Sequence, residues 1–349
     1  MKVGLLFSFR NPPAWRRPWP EVYRAALADI EHAERLGFDS IWLTEHHFAE
    51  DGYSPSLLTI AAAVATRTER LRIGTNVLLL PLHHPIRVAE DAATVDVLSN
   101  GRLDLGVGQG YAPGEFAGYG ISRSERASRL EEGLEVISGA WTQASYSHSG
   151  QHWQLDGVAI EPRPVQTPHP PLWVGGRGKK ALDRAARLGC HFLGIGDPAA
   201  ARTYGERLIA HGRDPAKFES AQLAFGHVAA TRERAWSEAE AHFHWLLSCY
   251  GRWLGDARDF AGDEALAAVP TARELRTAKT LLFSPMIGSP DDVSAALESF
   301  LASVHTTQLI VCLHLPGLDP ARTRTSMELF AREVRPRLTA KSEASREPP

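Results

Sequence analysis

The chain has 349 residues, 44% of them hydrophobic and 23% charged, with a net charge of -3, and a chain of this length and composition buries a large core. Its near-neutral charge argues against a nucleic-acid partner, and no apolar run approaches the roughly 18 residues of a membrane span. The three cysteines, Cys190, Cys249 and Cys312, are widely spaced and form no CxxC pair. They give no support to a disulfide framework or a structural zinc site, and they fit a reducing, cytoplasmic setting.

Strand-length apolar runs alternate with helical patterns along the chain. MKVGLLFSF carries one lysine and too short an apolar run for a signal peptide, so Val3 to Phe9 reads as a first strand. A helix is predicted from Glu21 to Leu36, closed at Gly37, where a left-handed C-cap costs glycine nothing. Strands at Asp39 to Leu43, Leu71 to Leu80 and Arg102 to Val107 alternate with helices at Pro55 to Thr68 and Pro85 to Leu98, and a helix from Arg123 to Trp141 follows. Residues 142–170, rich in glycine and proline with an alternating Trp153, Leu155 and Val158, predict a small hairpin and an extended loop. The alternation resumes with strand Leu172 to Val174, helix Lys179 to Leu188, strand His191 to Ile195, helix Ala199 to His211, strand Gln222 to Ala229 and helix Glu233 to Tyr250. Residues 254–284 show helical pieces and no strand pattern, and read as a second insertion. Helix Pro290 to Val304, strand Gln308 to Leu313 and a closing helix at Pro320 to Val334 complete the pattern.

Eight parallel-type strands in one chain favour a closed (β/α)8 barrel, a single domain over residues 1–349 with insertions after the fourth and seventh helical units. The alternative, an open nucleotide-binding sheet, lacks its fingerprint. GVGQG at 106–110 misses the third glycine of GxGxxG, and the following YAPGEF is not expected to open a helix.

In a barrel enzyme the chemistry sits at the C-terminal ends of the strands. There the second strand runs into TEHHFAED, whose Glu45, His46 and His47 combine a carboxylate with two imidazoles. On extended backbone the two rings point in different directions, so one reaches a ligand and the other is buried. Metal binding needs more convergent ligands than EHH supplies, and His83 and His84 form no HxH or HExxH pattern with it. Thr75, Asn76 and Val77 end the third strand, and the glycine-rich segment containing Gln109, Gly110 and Tyr111 ends the fourth. After the fifth, Gly176, Arg177 and Gly178 lead with Lys179 and Lys180 into a helix, an arrangement that suits a phosphate at a helix N-terminus. The aromatic loop FRNPPAWRRPWP offers Phe9, Trp15 and Trp19 as pocket walls.

These segments, with GFDSIWLTEHHF, LRIGTNVLLLPLHHPIRVAED, GRLDLGVGQGY followed by Glu115, PHPPLWVGGRGKKALDRAARLG and MIGSPDDV, resemble the bacterial luciferase-like flavin-dependent monooxygenases in consistent order from Met1 to about Leu338. The resemblance implies a barrel that binds reduced FMN (FMNH2), or less often deazaflavin F420, with the ring at the strand ends and the phosphate on residues 176–178. It implies an FMNH2- and O2-dependent oxygenation of a small organic substrate through a C4a-hydroperoxyflavin. His46 matches the family's active-site histidine, with Glu45 expected to orient it, Glu115 expected in the substrate pocket, and a cis peptide expected at Asn76-Val77. Two departures stand out: Gly108 replaces a reactive cysteine, and Gln109 replaces an arginine that reaches the phosphate, leaving Arg177 or Lys179 to supply the charge. With no second nucleotide domain in view, a separate flavin reductase is the expected partner, and family habit suggests a homodimer. Two other readings are an F420-dependent hydride-transfer enzyme and a non-catalytic flavin-binding subunit.

Overall fold

The computed structural model describes residues 1–176, 178–260, 263–277, 285–304 and 306–338. Its elements run in the order β1 (Lys2–Phe7), α1 (Trp19–Arg35), β2 (Ser40–Leu43), α2 (Leu57–Ala65), β3 (Arg72–Thr75), α3 (Pro85–Ser99), β4 (Leu103–Gly108), α4 (Pro113–Gly118), α5 (Arg126–Thr142), β5 (Tyr146–Ser149) and β6 (Gln154–Val158). They continue with β7 (Leu172–Gly175), α6 (Lys179–Leu188), β8 (His191–Gly194), α7 (Pro198–Ala210), β9 (Ser220–Val228), α8 (Arg232–Ala257), β10 (Pro285–Gly288), α9 (Pro290–Ser303), β11 (Gln308–Cys312) and α10 (Pro320–Leu329).

Strands β9, β11, β1, β2, β3, β4, β7 and β8 pair in that order, all parallel, and β8 pairs back onto β9 to close an eight-stranded barrel. Register is set on both sides of β1, where Gly4 opposes Ile310 of β11 and Ser40 of β2. Both faces of each strand are covered, so the strands read as continuous apolar runs. Val3, Leu5 and Phe7 point outward to the helices, while Leu6 joins Trp42, Trp173, Leu193, Phe225 and Ile310 inside the barrel. Trp42 and Trp173 meet edge to face at 5.4 Å across that interior, a favoured contact between buried aromatic rings.

Helix ends follow local chemistry. Gly37 is left-handed, and Phe38 N–H and Gly37 N–H return to Ala33 O and Glu34 O, the Schellman closure expected of glycine after a helix. Helix α9 starts with a reciprocal capping box between Ser289 and Asp292, which satisfies two otherwise orphaned N–H groups.

The structure departs from the sequence reading in four places. The long strand expected at 71–80 stops at Thr75; beyond it Asn76 N–H donates to Leu43 O, Leu78 N–H to Gly106 O, and a 3-10 turn covers Leu80–Leu82. The peptide Asn76-Val77 is cis. YAPGEF does open a helix, the short α4, because Pro113 sits at its first position, where a missing N–H costs nothing. Helix α8 continues to Ala257, taking in the start of the expected 254–284 segment, of which 261–262 and 278–284 lie outside the described residues. A ninth strand, β10, was not expected; it pairs with the end of β9 from Pro285↔Phe225 to Gly288↔Val228. Four residues are too short to show an alternation.

No helix among the described residues is long and apolar enough to cross a membrane, and all three cysteines are free and buried.

Candidate active site

A pocket opens at the C-terminal ends of the barrel strands. Residues following β2, β3 and β4, the ends of β7 and β8, and the end of α8 form its walls. His46 is 5% exposed and reaches it from the β2 end. Its Nδ1 lies 2.8 Å from Glu115 Oε1, which also accepts the His47 backbone N–H at 2.8 Å. An acceptor at that distance places a proton on Nδ1, so the neutral ring presents Nε2 as an acceptor, and the Tyr111 hydroxyl lies 3.3 Å from it. Trp253 stacks on the ring at 4.3 Å, and Tyr53 closes an edge at 4.8 Å.

Glu45 does not orient His46, contrary to the sequence expectation. Residues 45 and 46 point to opposite sides of an extended chain, and Glu45 Oε1 instead meets His47 Nε2 at 3.1 Å and His83 Nε2 at 3.0 Å, while Oε2 accepts the Leu79 N–H. The orienting carboxylate is Glu115 of α4, expected in the substrate pocket but 3% exposed behind the imidazole. The two partners lie 69 residues apart in sequence, and only the fold brings them together. Glu45, His47 and His83 place three ligand-type atoms within 4.8 Å of one another, and two imidazole N–H groups sharing one anion account for that geometry without an ion.

Burial by itself would push the Glu45 carboxyl up, but hydrogen bonds from His47 and His83 outweigh it and hold it at about 2, below its ordinary 4.5. A group depressed in the folded state contributes stability above its unfolded value, and that stability is lost as pH falls through the folded value. Thermal melts are therefore expected to fall more steeply between pH 4.5 and 2 for the native chain than for Glu45→Gln, which should be less stable at neutral pH by roughly 2–4 kcal/mol. Equal slopes for the two would show that Glu45 carries no such linkage.

Asn76, Val77, Gln109, Gly110, Tyr111 and Gly176, all expected near a cofactor, line the pocket. Thr75 does not: it is fully buried, and its hydroxyl bridges Gly106 O at 2.6 Å and Gly106 N at 2.9 Å, clasping β3 to β4. Gly108 and Gly175 flank Val77, where an added Cβ would come within 2.5 and 2.7 Å of its methyl groups, so these glycines first of all make room for Val77. Gly178 is the N-cap of α6, at φ +81°, and offers no side-chain cap. Arg177 lies outside the described residues.

None of the three aromatic walls expected from the loop after β1 lines the pocket. Phe9 is fully buried against Tyr23 at 5.0 Å, and Trp15 rests on His242 at 4.2 Å and beside Trp245. The loop after β1 folds over α1 and α8, where large rings bury more surface than at a pocket rim. Trp19 is 40% exposed beside Tyr23.

The walls missed by sequence reasoning come from β8, β9, α8 and the residues just beyond β8 and α8: Leu193, Ile195, Leu223, Tyr250, Leu254 and Phe260. No local spacing marks them. Asp259, also on the pocket wall, accepts hydrogen bonds from Arg123 and Arg126. Behind the aromatic cluster Arg10 Nε donates to Asp51 at 2.6 Å, with the two side chains 1% and 2% exposed, and the guanidinium lies 4.5 Å from the centre of the Tyr53 ring. Burial would lower the Arg10 pKa, but Asp51 together with the neighbouring Cys249, Tyr53 and Tyr250 outweighs it, and the net direction is upward.

A barrel with an imidazole–carboxylate pair beside a largely apolar pocket at its strand ends defines an enzyme that acts on a bound small molecule. The profile of the luciferase-like monooxygenases matches residues 1–307, and the chain belongs to that family of oxidoreductases. It is similar to the oxygenase component of the flavin-dependent trigonelline monooxygenase of Acinetobacter baylyi, with 27% identity over 336 residues and 90% of each chain covered. A shorter match, 36% over 168 residues and about half of each chain, is to an F420-dependent glucose-6-phosphate dehydrogenase of Amycolatopsis mediterranei. Among solved structures, monooxygenase RslO1 of Streptomyces bottropensis superposes with a TM-score of 0.82 at 26% identity, covering 97% of this chain and 100% of that one.

Proposed function

We propose that this chain is the oxygenase component of a two-component flavin monooxygenase, taking FMNH2 from a separate reductase and using O2 to oxygenate a small organic substrate. The cytoplasm and a homodimer complete the reading. The observation that carries it is a single pocket with His46 and its Glu115 partner at one wall and Gly176, leading into the uncapped α6 N-terminus, at another. The residues fit a flavin. Val77, Leu193, Ile195 and Leu223 give apolar walls for a flat ring, and Asn76 Nδ2 is a buried donor with no partner among the described residues, a group that a ring carbonyl would satisfy.

The phosphate end is supported by two features. The α6 N-terminus has no acidic residue in its first turn, so its N–H groups and dipole remain available to an anion. Phe260 and Asp259 connect that end to Arg123 and Arg126, whose Nε and Nη1 are buried without partners among the described residues. These two arginines supply the positive charge missing at Gln109. Bound FMNH2 supplies the activation of O2; the chain's residues position it, exclude water and hold a proton at His46.

Arg126→Ala is expected to weaken FMN binding about 10-fold or more, the loss of a charge-assisted contact, while binding of riboflavin, which has no phosphate, stays unchanged. Equal losses for both ligands would remove Arg126 from the phosphate site. F420 remains the second reading because an F420-dependent dehydrogenase is among the relatives, but the relative matched over 90% of its length is a flavin monooxygenase. Anaerobic turnover with reduced F420 would select the deazaflavin reading, and avid FMN binding with no oxygenation of any substrate would select an accessory role.

A further inference from the structure

Both nitrogens of the His46 ring are taken up by the protein itself. Nδ1 faces Glu115 Oε1 at 2.8 Å, Nε2 faces the Tyr111 hydroxyl at 3.3 Å, and Trp253 and Tyr53 cover a face and an edge. A molecule in the pocket therefore reaches neither nitrogen unless a bond to protein is given up. Tyr111 lines the pocket beside His46, holds its hydroxyl against Nε2, and is only partly buried.

We propose that Tyr111 is the catalytic residue through which protons pass between His46 and the pocket, with Glu115 as the positioning residue behind the imidazole. This rests on the flavin reading of the same pocket. While the ring is neutral, Glu115 keeps the proton on Nδ1, and Nε2 accepts from the Tyr111 O–H. When the ring is protonated, Nε2–H donates to the Tyr111 oxygen, and the phenol proton turns away from the ring. Delivery then breaks the Tyr111 O–H bond and forms an O–H bond on an oxygen anion in the pocket, while the Nε2 proton moves to the Tyr111 oxygen. The anion ends protonated, the imidazole neutral and the phenol restored, so charge and protons balance. The reverse sequence removes a proton from a bound acid.

An isolated phenol, titrating near ~10, is poorly matched to neutral pH, and an imidazole behind it supplies the proton in that range. The other groups packed around the ring do not compete for this role. Tyr53 and Tyr250 bond each other, and burial pushes both upward. Arg10 is neutralised by Asp51, and Glu45 and His47 face the opposite side with His83. Glu115 is thus the one carboxylate in contact with His46 among the described residues.

The test uses Tyr111→Phe, which removes only the hydroxyl, in two measurements on the full chain. In the ligand-free protein, nitrogen NMR of labelled histidine is expected to show the His46 Nε2 signal shifting when the donor is lost, with the rest of the spectrum showing an intact fold. With FMNH2 and O2 as probe, the reoxidation rate at saturating FMNH2 is expected to fall about 10²-fold and to lose the pH inflection expected of the native chain. An unchanged Nε2 signal, or an unchanged pH profile in a variant that still binds FMN, would overturn the relay. Failure of the native chain to bind FMN at all would instead overturn the flavin reading, and the NMR measurement would still report on the relay.

Discussion

His46→Ala is expected to lower the oxygenation rate by about 10²–10⁴-fold, the usual contribution of a positioned acid or base, with little change in FMN affinity. The prediction follows from where the ring sits. It has one edge on Glu115, one on Tyr111 and a face on Trp253, so its removal takes away the only imidazole on the pocket wall among the described residues. The fold should survive, because the α4 carboxylate keeps a bond to the His47 backbone N–H. Glu115→Gln separates position from presence: an amide can still accept from Nδ1, but it supplies no negative charge to a protonated ring. Its rate should lie between native and His46→Ala, with the acid side of the pH profile altered. Steady-state oxygenation with a measured FMN Kd checks both, and a His46→Ala rate within a factor of about three of native, well below the usual acid–base contribution, would remove the imidazole from the chemistry.

The second large effect concerns stability. Asp51→Asn should cost roughly 3–5 kcal/mol, because it leaves the Arg10 guanidinium buried without its counter-charge. The pair is almost wholly shielded, and Asp51 Oδ2 also accepts from Trp245 Nε1 at 3.1 Å. Two further nitrogens of Arg10 already lack partners among the described residues, so a neutral neighbour leaves no compensation except the Tyr53 and Trp253 rings. A double variant, Arg10→Met with Asp51→Leu, removes both charges and should regain much of the loss. Chemical denaturation reports the order of the three proteins; a single Asp51→Asn as stable as native would show the pair to be dispensable. Because Arg10 supports the rings around His46, the same substitution should also reduce the rate.

Much of the barrel was legible because burial on both faces leaves each strand an unbroken apolar run, and a helix end can announce itself through a residue such as Gly37. Where a run continued past its strand, as in Leu71 to Leu80, apolar character alone could not mark the point at which the backbone leaves the ladder. Short elements such as α4 and β10 carry too few residues for a period to emerge.

The site divided along a similar line. Residue type and position at a strand end singled out the Glu45–His47 stretch, Asn76, Val77 and Tyr111, since barrel topology directs those ends to one mouth, and the family resemblance chose His46 of the two imidazoles. Partnership was a different matter. Glu45 adjoins His46 in sequence but points away from it, while Glu115 arrives from α4, and the α8 residues that close the pocket come from a helix whose own pattern records only its burial. Apolar spacing is a local property of the chain, and it determined the barrel and its functional end. Which carboxylate holds which imidazole depends on contacts between distant segments, and only the tertiary structure decided that.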